Sequence, residues 1–147
     1  MSSVLFSAYQ PGDRTACLQL FDANSPAYFA PNERDEYAAF LETAPGMYEL
    51  CRRGDRIVGA FGVQPAGASD AHLRWILLAP DAQGQGIGTA IMRRVAELAR
   101  AQGRPLVRIA ASQKSAPFFT RFGASITTST RDGWGPGMDR IDLEWRP

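Results

Sequence analysis

Asp81-Ala82-Gln83-Gly84-Gln85-Gly86-Ile87-Gly88-Thr89 is the stretch that decides the fold of this chain. It follows the apolar, strand-like run of residues 75–78 and precedes a pattern typical of a helix. Glycines at every second position let the backbone come close to a ligand, and amides at the start of a helix donate to anions at the positive end of the helix dipole. The stretch therefore predicts a cradle for a pyrophosphate.

Two other glycine motifs also join a strand to a helix, and both fit this stretch less well. The Rossmann dinucleotide fingerprint needs its third glycine three residues after the second, whereas Gly88 follows Gly86 by two. A P-loop needs a lysine and a serine or threonine after its last glycine, whereas Thr89 and Ala90 follow Gly88. A nucleotide-dependent enzyme and a glycine-rich turn without a ligand stay open as alternatives.

Composition and charge exclude several classes of protein. The chain has 147 residues, of which 45% are hydrophobic and 21% are charged, so we expect one globular domain over residues 1–147. No apolar run approaches the roughly 20 residues that cross a bilayer, which argues against a membrane protein. A net charge of +1 and scattered arginines argue against nucleic acid as a partner.

The N-terminus and the cysteines favour a cytoplasmic location. Residues 1–6 have neither the basic start nor the long apolar core of a signal peptide. Cys17 and Cys51 are then expected to be reduced and buried. The chain has one histidine and no paired cysteines, so we expect no metal.

Hydrophobic periodicity predicts four helices and seven strands. Helices are expected from residue 11 to about residue 24, from residue 33 with Asn32 as its N-cap, over residues 87–102, and after residue 115. Strands are expected at residues 4–6, 47–51, 57–63, 72–78, 106–110, 124–130 and 138–145, with residues 132–137 as the last hairpin loop.

The order of these elements predicts the topology. A strand, a helix and a strand over residues 72–110 form a βαβ crossover, so the fourth and fifth strands should be parallel. Hairpins join most of the other strands. We therefore predict an α+β fold, layered α/β/α, with a mixed, mostly antiparallel sheet of about six or seven strands and helices on both faces.

The element order and two motifs resemble the GNAT superfamily of N-acetyltransferases over nearly the whole chain. Its signature of Gln or Arg, two residues, Gly, one residue, then Gly or Ala is matched by Gln83-Gly84-Gln85-Gly86-Ile87-Gly88. An aromatic pair followed by three residues and a glycine, a second family feature, is matched by Phe118-Phe119-Thr120-Arg121-Phe122-Gly123. The resemblance implies the acyl-CoA N-acyltransferase fold in a single N-acetyltransferase domain.

The resemblance also implies that acetyl-CoA binds as a co-substrate where the fourth and fifth strands splay apart. Backbone amides of residues 84–89 would hold the pyrophosphate, and the strand before Ala79 would pair with the pantetheine arm and polarise the thioester carbonyl. Ser112 stands where many members have an asparagine that contacts the cofactor. The implied cofactor-binding residues are Ile76, Leu77, Leu78, Gln83, Gly84, Gln85, Gly86, Ile87, Gly88, Thr89, Ser112 and Phe119.

The acceptor amine must be neutral to attack, so a general base is expected near it. His72 lies six residues before Leu78, where some family members have a glutamate, and imidazole titrates near neutral pH. The alternative interpretation of His72 is a solvent-exposed histidine at the start of a strand. Glu33 and Glu36 lie on the segment that forms the acceptor side in the family, but carboxylates at helix starts are often solvated.

Two aromatic residues have open roles. Tyr28 would bind the acceptor or act as an acid, or else anchor its loop with Phe29, and Trp134 would be a wall of the acceptor site or a packing residue. Phe119 replaces the family's tyrosine acid and cannot donate a proton. A thiol has a much lower pKa than an alcohol, so the thiolate of CoA can leave without an acid.

The sequence thus predicts an acetyl-CoA-dependent N-acetyltransferase. Its acceptor would be a primary amine of a small molecule or peptide, attacked directly in a ternary complex. Members of the superfamily are often dimers, so a homodimer is an open expectation. The alternative is a non-catalytic acetyl-CoA-binding sensor or interaction module, which the loss of the tyrosine favours.

Overall fold

The computed structural model describes residues 4–44 and 46–147, which contain a seven-stranded mixed sheet and four α-helices. The strands are β1 (Leu5–Ala8), β2 (Tyr48–Arg53), β3 (Arg56–Ala66), β4 (Asp70–Leu78), β5 (Leu106–Ala111), β6 (Ser125–Gly135) and β7 (Met138–Trp145). The helices are α1 (Arg14–Asn24), α2 (Arg34–Thr43), α3 (Ile87–Ala101) and α4 (Ala116–Thr120), and 3₁₀ turns at Pro11–Asp13, Pro31–Glu33 and Pro80–Ala82 precede the first three.

The order of strands across the sheet is β1-β2-β3-β4-β5-β7-β6. Among the described strands, β4 and β5 are parallel and every other neighbouring pair is antiparallel. This mixed sheet confirms the predicted fold class. The two central strands are parallel because the helical crossover α3 joins them.

Helices cover both faces of the sheet. On one face, α1 and α2 bury Phe21 and Tyr37 against Tyr48 of β2. On the other face, α3 lies so close to β3 that a Cβ on Gly59 would be 2.7 Å from Ile91. Both cysteines of the chain are buried and free in the described structure. Among the described residues, no helix is long and apolar enough to cross a membrane.

The parallel pair β4–β5 separates partway along its length. The two strands are in register from Asp70 opposite Leu106 to Leu73 opposite Ile109, and this pairing goes no further. On its other side β4 has a bulge, because Ala60 of β3 pairs with Leu77 whereas Gly62 pairs with Arg74. Bulges bend a strand and increase its twist, so the end of β4 diverges from β5 and opens a gap.

The predicted loop over residues 132–137 is wrong. β6 continues to Gly135, and a short turn at residues 136–137 leads into β7. Gly135 has φ +154 and lies so close to Asn32 that a Cβ at this position would overlap the side-chain oxygen of Asn32. The glycine therefore lets the strand pass close to a neighbouring segment. In the sequence, such a glycine looks the same as a glycine in a loop.

The predicted N-cap of α2 is also wrong. The helix begins at Arg34, after the 3₁₀ turn, and the Asn32 side chain donates instead to the backbone carbonyl of Trp134 at 2.8 Å. Glu33 accepts the backbone N–H of Ala30 at 2.8 Å and so satisfies a donor at the start of the turn. A tertiary contact with β6 has taken the asparagine that local rules assigned to the helix.

Candidate active site

A cavity of about 850 Å³ lies in the gap between β4 and β5. Its floor is the last part of β4, and its walls come from the segment after α1, from α4 and from the β6–β7 hairpin. Polar residues at one end, which we call the polar end, are Tyr28, Glu33, Glu36, His72, Arg74, Trp134 and Arg140. The other end reaches Gln83 and Gly84 of the glycine loop, defined as residues 83–89.

The glycine loop has the geometry of an anion cradle. Gly84 and Gly86 have φ +78 and +81, a conformation that residues with a Cβ rarely adopt. Gly86 is the N-cap of α3, and no side chain in the described part of the chain caps that end. The first amides of a helix without a side-chain cap need another acceptor, and together with the helix dipole they attract an anion.

Gly88 has a different role from the two glycines before it. A Cβ at this position would lie 2.7 Å from Cε1 of Phe118 and 3.4 Å from Leu78. The missing side chain therefore lets α4 pack against the start of α3. The side chain of Ile87 points into the core and is 2% exposed, whereas Gln83, Gln85 and Thr89 are exposed.

Two arginines, at the end of β2 and the start of β3, contact the glycine loop or the segment just before it. Arg53 donates to Oε1 of Gln85, and Arg56 donates to Asp81 at 2.5 Å. Both partners of the Arg56–Asp81 ion pair are about half exposed or more, so the pair contributes little to stability. The effect of the ion pair is local, since it positions the Arg56 guanidinium next to the glycine loop.

The end of β4 is held by two side chains that the sequence did not indicate. Tyr48 donates its hydroxyl to the carbonyl of Trp75 at 2.6 Å, and Asn24 donates from Nδ2 to the carbonyl of Leu78 at 2.9 Å. Asn24 is 4% exposed and also donates to Leu20, which fixes its orientation. The backbone of Ile76 and Leu77, which lines the cavity between these two anchors, is therefore rigid.

Trp75 occupies an unusual backbone conformation at the bulge. Its φ is +46, which is rare for a residue with a large side chain. Its ring packs against Phe29, Tyr37 and Phe40, with centroids 6.0, 5.0 and 6.3 Å away. This aromatic packing stabilises the strained conformation, as is common where a bulge redirects a strand beside a functional site.

Glu33 is the buried acid of the polar end. It is 3% exposed, and Oε2 accepts the Ala30 N–H. The described residues contain no buried side-chain oxygen without a partner, so Oε1, which has no protein partner there, is open to the cavity. Burial raises the pKa of Glu33 to about 7, and the nearby charge of Glu36 acts in the same direction.

His72 lines the cavity, but its surroundings make it electrostatically unsuited to hold a proton. It is half-buried on β4 rather than fully exposed at the start of the strand. Burial, together with the positive charges of Arg74 and Arg140, lowers the pKa of His72 to about 4. The ring is therefore neutral near pH 7 and a weak base.

The remaining predicted residues that line the cavity differ in what their side chains offer to it. Tyr28 and Trp134 both line the cavity, and Trp134 is fixed by a 2.8 Å hydrogen bond from Nε1 to the carbonyl of Ala111. Ser112 also lines the cavity, but its hydroxyl accepts the N–H groups of Lys114 and Ser115 at the turn into α4. Phe119 is 2% exposed and contributes an apolar surface.

Sequence reasoning missed Asn24, Tyr48, Arg74 and Arg140. Asn24 resembled an ordinary end of a helix, and Tyr48 resembled a core residue of a strand. Arg140 lies over the Trp134 ring, 5.0 Å from its centroid, and pairs with Asp142 at 3.0 Å. Arg74 precedes the bulge, which has no clear pattern in a single sequence, so none of the four gave a usable signal.

A mixed sheet that splits between two parallel strands, with a glycine loop at the mouth of the split, defines the acyl-CoA N-acyltransferase fold. Known structures agree. A GNAT-family protein from Desulfovibrio desulfuricans aligns with TM-score 0.78 and 23% identity over 98% of this chain and 99% of its own. The ribosomal-protein-S18-alanine N-acetyltransferase from Escherichia coli aligns with TM-score 0.79 and 15% identity, covering 98% and 94% of the two chains.

A third similar structure contains the ligand that the glycine loop suggests. The yncA protein from Salmonella typhimurium, solved with its cofactor acetyl-CoA, aligns with TM-score 0.69 and 15% identity over 97% of this chain and 93% of its own. The sequence model of the acetyltransferase (GNAT) family matches residues 17–124. The chain belongs to the GNAT family of acetyltransferases.

Proposed function

We propose that this protein is an acetyl-CoA-dependent N-acetyltransferase that acetylates a primary amine of a small molecule or peptide by direct attack in a ternary complex. The observation that carries the proposal is that the cavity between β4 and β5 reaches Gln83 and Gly84, in the glycine loop that leads into the uncapped start of α3. One cavity thus offers an anion site at one end and titratable side chains at the other. We also propose that residues 1–147 act as a single N-acetyltransferase domain.

The glycine loop fits the pyrophosphate of acetyl-CoA. Space beside Gly84 and Gly86 is open, since a Cβ on either would have no neighbour within 4 Å. The amides of residues 84–89 would donate to the pyrophosphate oxygens, with Gln83, Gln85 and Thr89 at the rim. The free edge of Ile76, Leu77 and Leu78 would pair with the pantetheine arm, while Ser112 and Phe119 line the opposite wall.

Glu33 is the residue we propose as the general base. A base works best when its pKa is near the working pH, and the raised pKa of Glu33 meets this condition better than the lowered pKa of His72. Oε1 would accept the proton of the amine while Oε2 stays bonded to Ala30. Tyr28 and His72 are left to orient the acceptor through hydrogen bonds.

When bound, acetyl-CoA supplies its acetyl group to the amine: a carbon–nitrogen bond forms, the carbon–sulfur bond breaks, and the sulfur leaves as a thiolate. Backbone amides beside the bulge would stabilise negative charge on the carbonyl oxygen, and they are well placed because Tyr48 and Asn24 hold that backbone. Phe119 gives no proton, so the thiolate would take one from water. The protein of Escherichia coli named above, whose acceptor is an alanine of a ribosomal protein, is an amine-acetylating example with this fold.

The first test is titration of acetyl-CoA into the purified protein by calorimetry, with NADH and ATP as controls. Saturable binding of acetyl-CoA alone is expected. An amine screen that detects released thiol then separates an enzyme from a sensor. Equal binding of ATP or NADH would overturn the assignment of the glycine loop, and acetyl-CoA binding without turnover on any amine would favour the non-catalytic alternative that Phe119 suggests.

A further inference from the structure

Arg74 stands out at the polar end because its charge lies over the Phe40 ring but has no carboxylate partner in the described structure. Within residues 4–44 and 46–147, no carboxylate lies at ion-pair distance from its guanidinium, whereas Arg140 at the same end is paired with Asp142. Arg74 is only partly exposed and lines the cavity. A partly buried guanidinium without a counter-ion is stabilised when a ligand supplies an anionic group to pair with it.

The bulge in β4 explains how Arg74 reaches this position. Successive side chains of a regular strand point to opposite faces of the sheet. Here both Arg74 and Trp75 contact Phe40 of α2, at 5.4 Å from guanidinium carbon to ring centroid and 6.3 Å between ring centroids. The bulge therefore places a fixed cation directly beside the β4 backbone at which the acetyl group would be held.

A groove of about 420 Å³ continues from the cavity past Arg74. About half of its lining is apolar, from Ala39, Phe40, Met47 and Trp75, and the other half is polar, from Glu36, Thr43, Gln64 and Arg74. Met47 is 41% exposed. Arg74 and Glu36 face this groove and the cavity alike. An acceptor that enters the cavity can thus leave an apolar group in the groove.

The polar end contains charges of both signs. Glu33 and Glu36 lie at the start of α2, whereas Arg74 belongs to β4 and its guanidinium lies over Phe40 of α2. A molecule with a cationic and an anionic end would find a group of opposite charge for each end. Burial is the main cause of the lowered pKa of His72, and the positive charges of Arg74 and Arg140 act in the same direction.

We propose that the acceptor is a free amino acid with an apolar side chain, whose carboxylate pairs with Arg74, whose side chain lies in the groove on Phe40 and Met47, and whose amine faces Glu33. This inference rests on the proposed function and adds the substrate class. The carboxylate and the amine of an amino acid are separated by a single carbon, which suits a cation adjacent to the acetyl site. A peptide N-terminus has no carboxylate at this distance.

The test compares acids with their amides. Thiol release would be measured with L-leucine, L-methionine and L-phenylalanine, and with the amide of each, at saturating acetyl-CoA. The expected result is that kcat/KM for the acids exceeds that for the amides by about tenfold or more, because a bond to a charged group is lost in the amide. Equal values, or a preference for the amides, would overturn the proposal.

Variants of Arg74 locate the effect. Arg74→Gln should lower kcat/KM for the acids by about 10- to 100-fold, mainly through KM, and change the values for the amides by about twofold or less. Arg74→Lys should restore part of the preference, since the charge remains but not the bidentate geometry. Arg100→Gln, on the exposed side of α3, is the matched control and should leave both series unchanged. Equal losses for acids and amides in Arg74→Gln would contradict carboxylate recognition.

Failure of the substrate class and failure of the proposed function have different signatures. If acetyl-CoA binds but none of the six acceptors releases thiol, the amino-acid proposal is overturned while N-acetylation of other amines is still tested by the wider screen. If acetyl-CoA does not bind, the proposed function itself is overturned.

Discussion

The glycine loop and the polar end lie at opposite ends of one cavity, yet they are assembled in different ways. Consecutive residues make the glycine loop, and the groups that we propose to bind the ligand there are backbone amides. The polar end combines side chains from the segment between α1 and α2, from β4 and from the β6–β7 hairpin. A site made of local backbone tolerates change in surrounding side chains, whereas a site made of distant side chains changes with every contact that orients them.

The same difference separates binding of the cofactor from proton transfer and choice of the acceptor. Binding of a pyrophosphate needs N–H donors and a helix dipole, which any sequence supplies if it permits the conformation of Gly84 and Gly86. Proton transfer and acceptor choice need particular side chains, for which we propose Glu33 and Arg74, in environments that shift their properties. Substitutions at the two ends should therefore separate acetyl-CoA affinity from acceptor turnover, and the following predictions test that separation.

The largest effect is expected for Glu33→Gln at the polar end. Loss of the base should lower kcat by about 100-fold at pH 8, and acetyl-CoA affinity should stay unchanged because the glycine loop is intact. In the wild type kcat should rise as pH increases through about 7, since the carboxylate is then deprotonated, and this rise should disappear in the variant. A pH–rate profile from about pH 5.5 to 9 measures both, with exposed Glu42→Gln as the control.

Glu33 also predicts how stability depends on pH. Its folded-state pKa of about 7 is above the ordinary 4.5, so the folded protein binds more protons than the unfolded chain between these values. The free energy of unfolding should therefore fall as pH rises from 4.5 to 7. Urea titrations should show a weaker pH dependence for Glu33→Gln, and an identical dependence would show that Glu33 is not the buried acid responsible.

The next effect is expected for Gly86→Val in the glycine loop. A β-branched residue at φ +81 costs about 1–3 kcal/mol, and the altered backbone should weaken acetyl-CoA binding by about 10- to 100-fold. Gly103→Val is the matched control, because Gly103 has φ +68 just after the other end of α3. That variant should lose stability but keep its affinity for acetyl-CoA. If Gly86→Val and Gly103→Val lose the same affinity for acetyl-CoA in calorimetry, general destabilisation and not the cradle explains the result.

A smaller effect is expected for Gly88→Ala. The new methyl group would overlap the Phe118 ring, which should destabilise the fold by about 1–3 kcal/mol. Phe118→Leu in the same chain should remove part of this penalty, since a smaller side chain leaves room. A double-mutant cycle in urea denaturation measures the coupling. Additive effects would show that Gly88 is not required for packing of α4.

The smallest effect is expected for His72→Gln. Because its lowered pKa keeps the ring neutral near pH 7, its replacement should change kcat by about threefold or less and leave the pH–rate profile in place. If the rise of kcat with pH disappears in His72→Gln but is retained in Glu33→Gln, our assignment of the base to Glu33 would be reversed.

The strands, the crossover and the glycine loop could be predicted because each depends on patterns within a few residues. Alternation in β7 and helical spacing in α3 are local, and the parallel orientation of β4 and β5 follows from the crossover between them. Prediction failed at Asn32, which bonds to Trp134, and at residues 132–135, which continue β6. In both places a contact between distant parts of the chain replaced the local preference.

The sequence by itself thus determined the order of elements, the family and the position of the glycine loop, because helix and strand periods and glycine conformations act over short distances. Only the tertiary structure decided that Glu33 is buried with a raised pKa, that His72 is a weak base, and that a bulge turns Arg74 toward the cavity. Burial and charge depend on which distant residues come together. A side chain's chemistry is therefore set by neighbours that the linear sequence does not identify.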